Sequence, residues 1–296
     1  MFQKQLMMRK VIYSLLPIFL LSIYLYGLRS VGIIVTSFVV GIGCEYIFVK
    51  KQNKKITEAV LVTCALYALS LPPNTPIWIT AIGIAFGVAL GKMAYGGFGR
   101  NIFNPAITGR LFIYITFPNV VNKWAPPGNF GMVEGVAGAT PLEALRSGGG
   151  IDVMGHLIGL RSGSIGESSV VLILLAGAYL LYTKTANWKS SLSTIAGYTA
   201  VQTLLFAMGL SYNPFLGIMS GSLLFIAVFM VTDPVSAPKK HNSLFVYGFL
   251  IGAATCVIRA FSLFPEGTSF AILLANTFAP LMDETIGKWQ WKGAKA

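Results

Sequence analysis

Charge is scarce in this chain. Only 11% of its 296 residues are Asp, Glu, Lys or Arg, where a soluble domain carries roughly 25%, and a water-soluble globular fold is excluded on that ground. Acidic residues are the rarer sign, 10 against 22 basic. Cysteine is nearly absent: Cys44, Cys64 and Cys256 each lie alone in an apolar run, with no C-x-x-C spacing. That excludes a disulfide framework, an iron-sulfur cluster and a metal centre built on thiolates. The two histidines, His156 and His241, stand apart in expected loops and are assigned neither metal nor proton transfer. The net charge of +12 would suit nucleic acid, but the lysines and arginines fall in short clusters between apolar segments. Such spacing is that of a membrane protein's cytoplasmic loops, and nucleic acid is set aside as a partner.

What is present is hydrocarbon: 55% of residues are hydrophobic and the mean hydropathy is +0.70. A spanning helix needs about 20 mostly apolar residues, because a helix rises about 1.5 Å per residue and the hydrocarbon layer is roughly 30 Å thick. Ten segments qualify in part or whole, at 11–28, 31–49, 57–71, 77–90, 103–117, 168–182, 192–210, 214–231, 244–261 and 269–282. Several are short, and broken or re-entrant helices are expected among them. The basic N-terminus before the first run resembles a signal peptide, yet no small-residue cleavage site follows, so a retained first span is expected. The fold class is therefore an all-α polytopic membrane protein of about ten spans. Its parts are a first membrane half at 1–117, a long loop at 118–167 and a second half at 168–296.

With the N-terminus inside, this parse places sixteen basic residues on the cytoplasmic side, five outside (Arg29, Lys123, Arg146, Arg161 and Arg259), and Arg110 within the fifth span. The asymmetry predicts both termini in the cytoplasm and the long loop outside. Ten spans divide into two sets of five, which must then be inverted because five is odd. Arg100 with Phe103-Asn104-Pro105 and Arg259 with Phe264-Pro265-Glu266-Gly267 echo one another on opposite sides. Inverted repeats with broken helices commonly frame a midplane pathway.

A 50-residue loop inside a compact protein is usually functional, and this one is rich in glycine. Its centre runs Glu134-Gly135-Val136-Ala137-Gly138-Ala139-Thr140-Pro141-Leu142-Glu143. Thr140 suits an N-cap, Pro141 the first helical position, and Glu143 completes a capping box. A short helix starting at Thr140 is the plain reading. The same helix start presents unpaired N–H groups that suit a phosphate, and the small residues before it leave the hydroxyl accessible. The residues by themselves permit either.

Gly-Ala-Thr-Pro-Leu at 138–142 resembles the flavinylation site of the RnfD/NqrB family. Four further segments resemble that family in order: Phe98 to Ala106, Gly163-Ser164-Ile165-Gly166-Glu167-Ser168, Thr232-Asp233-Pro234-Val235-Ser236-Ala237-Pro238, and Arg259 to Gly267 with Asn276 to Met282. The resemblance covers nearly the whole chain. It departs from the family pattern where Glu134 replaces the usual Asp and Ala137 stands where Ser is common. It implies FMN joined to Thr140 by a phosphoester, set by a dedicated flavin transferase, with Gly138, Ala139, Pro141 and Leu142 around it. It also implies a bacterial inner-membrane complex with other membrane and peripheral subunits, among them a second FMN-bearing subunit, and raises a second, non-covalent flavin such as riboflavin. The short segment before the first span resembles the Rnf type more than the Nqr type, implying electron passage between ferredoxin and NAD coupled to Na⁺ or H⁺ movement.

Polar residues in or near spans complete the expectations, since charge inside the bilayer is costly and usually faces a partner or wet cavity. Asn104 and Arg110, nearly two turns apart on one helix, are expected near the flavin together with Ser164, Gly166 and Glu167. Arg110 would hold reduced flavin or its phosphate, or else pair with Glu45. Glu45 and Asp233 are the candidates for an ion path. The rival readings are a channel-like or transporter-like protein without a redox centre, and a flavin-free scaffold for partner subunits.

Overall fold

A computed structural model of the chain describes residues 2–121, 124, 127, 140–262 and 267–293, with side chains through residue 286 in the last helix. A helix answers each of the ten expected spans. In chain order, α1 (Leu6–Tyr26), α2 (Leu28–Lys51), α3 (Ala59–Leu69), α4 (Ile77–Gly91) and α5 (Pro105–Thr116) form the first half. The connecting segment carries α6 (Pro118–Val121), α7 (Pro141–Arg146), α8 (Val153–Ile158) and a 3-10 turn at Ile165–Glu167. The second half holds α9 (Val170–Tyr182), α10 (Trp188–Ala207), α11 (Pro214–Met219), α12 (Leu223–Phe229), α13 (His241–Phe261) and α14 (Thr268–Gly293). Among them α1, α2, α13 and the stretch Ile77–Tyr95 are long and apolar enough to cross a membrane, while α3 and α9 are apolar but shorter.

Three spans differ most from the sequence expectation. The last runs on as α14 to Gly293, past the expected end at 282. The third is helical only from Ala59, because Ile56–Thr57 (β2) pairs in parallel with Phe2–Gln3 (β1). The eighth is broken: Ser220-Gly221-Ser222 separates α11 from α12, and Gly221 takes φ +69°, a left-handed conformation that glycine adopts without cost.

The helices are apolar outside and small or polar inside. The buried stripe of α2 is Ser30, Ile33, Ser37, Gly41, Glu45 and Val49, at spacings of three and four, while Val35, Val39 and Ile47 are exposed. In α10 the buried face is Ser190, Ser193, Thr194, Gly197, Tyr198, Gln202 and Leu205. Lipid is as apolar as leucine, so helices associate in it through small residues and internal hydrogen bonds. Packing order repeats: α4 lies on α2 and α5, and α13 lies on α10 and α14, while α1 meets α9 across the two halves.

The chain has two polar ends. At one, Arg9 meets Glu58 at 2.5 Å and Lys10 donates to the Thr183 carbonyl. At the other, Tyr26 closes α1 against Arg161 and Ser168, and Arg146 reaches the Ser262 carbonyl at 2.7 Å. The backbones of α10 and α13 touch at Gly252, where a Cβ would stand 2.5 Å from Tyr198 N. Gly252→Ala should therefore lower thermal stability in detergent by about 1–3 kcal/mol, the usual cost of overpacking. Gly43→Ala, with nothing within 4 Å of its Cβ position, should leave it near that of the unaltered chain.

Candidate functional site

Thr140 is placed by its own local chemistry. Its backbone is extended, Pro141 occupies the first helical position, and the expected capping box is formed. Thr140 Oγ1 accepts from Glu143 N at 3.2 Å and Thr140 N donates to Glu143 Oε2 at 2.9 Å. The residue is only 8% exposed, and a small pocket opens beside it between Trp124, Arg161, Gly163, Glu167 and Gly221. Leu142, buried at the first turn of α7, lies near Gly221 at the break in the eighth span. The helix start is thus seated in the membrane body at its second polar end. Gly138 and Ala139 fall outside the described residues.

Around this pocket the structure gathers arginines that the sequence reading had spread between a span and loops. Arg110 is 1% exposed and faces Glu167 at 3.7 Å, with Ser164 Oγ at 3.4 Å and the Tyr114 ring 5.2 Å from its guanidinium carbon. The internal carboxylate that pairs with Arg110 is Glu167, not Glu45. Arg161, expected in an outside loop, is buried and donates from Nε and Nη2 to the Glu167 carbonyl and from Nη1 to the Met219 carbonyl. It ties the Ile165–Glu167 turn to the end of α11. Arg259, also expected outside, is fully buried and donates from Nη1 to the Gly217 carbonyl at 3.2 Å. Its other neighbours are the hydroxyls of Tyr198 and Thr268, each at 3.5 Å. Gly166 packs in the core, where a Cβ would stand 2.7 Å from Leu69 Cβ and 3.1 Å from the Phe225 ring. It lets the turn bring Glu167 to the pocket and does not line it.

Asn104 belongs to the opposite end. Its side chain caps α5, accepting from Ala106 N and Ile107 N, and its amide donates to Asp233 at 3.5 Å. Six residues of helix separate it from Arg110, roughly 9 Å along the axis, so the two expected neighbours serve different sites. Asn104 and Asp233 line a cavity of about 70 Å³ together with Asn101, Lys92, Phe98 and Phe229. Lys92, read from sequence as a loop cation, is 2% exposed, 2.6 Å from Glu45 Oε2 and 2.8 Å from Thr57 Oγ1. Thr57 also donates to Glu45 from its backbone N and its hydroxyl. Glu45 is thus held by Lys92. The signal that could have found Lys92 is its place: it directly ends the apolar α4, where a lysine with a buried partner can reach back into the bundle.

The two ends are built alike. Lys92 follows α4 and joins α2 through Glu45 to the entry of α3 through Thr57. Arg259 closes α13 and joins α10 through Tyr198 to the broken third helix of its half through Gly217.

The chain matches the NQR2, RnfD, RnfE family over residues 2–291. It is 38% identical over 265 residues to a protein of Pseudomonas aeruginosa strain LESB58 that is named as a subunit of the Na(+)-translocating NADH-quinone reductase, covering 85% of this chain and 65% of that protein. Proteins of the same name are 37% identical over 264 residues in Azotobacter vinelandii, covering 84% and 65%, and 38% identical over 267 residues in Chromohalobacter salexigens, covering 85% and 64%. The chain spans about 65% of the length of such curated relatives. With the family match running almost end to end over a helical bundle of this design, the chain belongs to the NQR2, RnfD, RnfE family.

Proposed function

We propose that this protein is the flavin-carrying membrane subunit of a redox-driven ion translocase, relaying electrons through FMN joined to Thr140 by a phosphoester. The observation that carries the reading is the setting of Thr140: a threonine of the Gly-Ala-Thr-Pro-Leu segment that caps a helix inside a pocket with Arg161, Glu167 and Trp124 beside it. The residues fit the group. In the described hydrogen bonds Thr140 Oγ1 acts only as an acceptor, so replacing its proton by phosphorus breaks none of them. Bound FMN would supply reversible acceptance of one or two electrons. The chain's own part is to bury the ester, to set guanidinium groups near the anionic portion, and to exclude water from that end of the bundle.

The same reading puts Asn104, Asp233, Lys92 and Glu45 at the far end of the electron and ion route, with Glu45 and Asp233 the candidates for the ion path, and adds a second, non-covalent flavin such as riboflavin to the protein without assigning its seat. The matching of Lys92 and Arg259 supports two five-helix repeats of inverted orientation. Both termini would be cytoplasmic and α7 outside, where a flavin transferase reaches it, with the other subunits completing the circuit in the bacterial inner membrane. Relatives bear the Nqr name; the Rnf type, working between ferredoxin and NAD, remains our proposal for this chain. The rival readings, a plain transporter or a scaffold, give Thr140 only the part of a helix cap, and a covalent flavin separates them from this one.

Thr140→Ala should abolish covalent flavin, seen as loss of in-gel fluorescence and of an FMN-less-water adduct on the Thr140 peptide. The lost cap costs about 1 kcal/mol locally, and insertion persists; flavin retained in this variant overturns the site. A cysteine at Ser147, exposed just after α7, should react in whole cells with a membrane-impermeant maleimide, whereas protection until lysis reverses the topology. In membranes holding the complete complex, reduced ferredoxin should reduce the flavins in the absence of NADH. Reduction by NADH with no response to ferredoxin assigns the Nqr type instead.

A further inference from the structure

The segment between α7 and α9 holds an apolar face that the electron relay does not use. In α8, Val153, Met154 and Ile158 are exposed, and Leu160 follows them in the same state, at 39%, 64%, 58% and 61%. Gly155 and His156 form the inner side. No Asp, Glu, Lys or Arg occurs from 153 to 160. His156 is turned inward with Nδ1 2.7 Å from the Asp152 carbonyl, and burial, aided by Arg161, pushes its imidazole below the ordinary value. Four large exposed apolar side chains within eight residues, with no charge among them, mark an interaction or membrane surface.

Its neighbours identify the occupant. Gly159, at φ +117°, ends α8 against two spans: a Cβ there would stand 3.4 Å from Leu21 Cδ2 of α1 and 3.3 Å from Ser169 Cβ at the start of α9. Ser169 Oγ also donates to the Leu157 carbonyl at 3.0 Å. Leu21 lies five residues before Tyr26, the end of α1, which is roughly 8 Å inside it along the axis. Helices that rest in a bilayer interface seat their apolar side about 5–10 Å into the boundary. The outward faces on both sides of α8 are themselves apolar and exposed, Leu20 and Tyr24 in α1 and Val171, Leu174 and Leu175 in α9. The patch adjoins these outward faces through Gly159 and Leu157.

We propose that α8 is an interfacial helix, with Val153, Met154, Ile158 and Leu160 covered by phospholipid acyl chains. Only the residues 147–152 join it to α7, so this seat also tethers the Thr140 helix to the membrane surface. The surface is defined by α8 itself and stands whether or not Thr140 carries flavin.

The test uses the full chain in phosphatidylcholine nanodiscs. A cysteine at Ile158 or Leu160, in a Cys44→Ala background that leaves only the buried Cys64 and Cys256, is labelled with the fluorophore NBD. Emission should be blue-shifted and quenched several-fold more by lipids with a nitroxide near the headgroup than is a label on a cysteine at Ser147. Water-like emission without lipid quenching overturns the proposal, as does shielding that appears only when the other subunits are present, since a protein is then the occupant. Met154 of the unaltered chain provides a readout free of labels. Aqueous peroxide should oxidise it several-fold more slowly in nanodiscs than in a peptide of the same sequence, and equal rates reject the interfacial seat.

Discussion

Hydrocarbon offers no hydrogen bonds, and a polar group inside it must find its partner within the chain. Every unusual feature of this bundle follows from that constraint. It turns the helices inside out, so that serine, threonine and glycine line the contacts between α2 and α4 or α10 and α13 while valine and leucine face outward. It confines charge to pairs and backbone carbonyls: Lys92 on Glu45, Arg110 on Glu167, Arg161 and Arg259 on the carbonyls that end α11. A bare carbonyl at a broken helix would be costly in lipid. The two guanidinium groups satisfy those carbonyls at the break in the eighth span.

Two polar clusters at opposite ends are the outcome. One surrounds Thr140 and is made of arginine, one carboxylate and the small residues of a turn. The other surrounds a cavity and is made of amides, two carboxylates and a lysine. Each is pinned by a cation at the end of the fourth helix of its half, reaching to the second helix and to the interrupted third. Such a repeat of parts gives one chain two polar clusters at opposite ends, and α5 packs on both α3 and α14.

Close packing makes the arrangement stiff. Gly166 admits the turn between Leu69 and Phe225, and without that approach Glu167 would not reach Arg110. The capping box at α7 is local by comparison: it needs only Thr140, Pro141 and Glu143, and the tertiary structure decides where that helix start is held.

The division between what sequence and tertiary structure decided runs along the same line. Class, span positions and the helix start at Thr140 depend on hydropathy over about 20 residues or on contacts three residues apart, and the sequence by itself determined them. The resemblance named the family on five ordered segments. What remained hidden depends on partners far apart in the chain. That Arg110 answers to Glu167, 57 residues on, and not to Glu45, that Lys92, Arg161 and Arg259 are buried, and that Asn104 joins Asp233 instead of Arg110 were settled only when the helices packed. A cation near a span end reads from sequence as a loop charge, because its burial is set by a partner on another helix; only the fold supplies that partner, and with it the reason the charge can leave water.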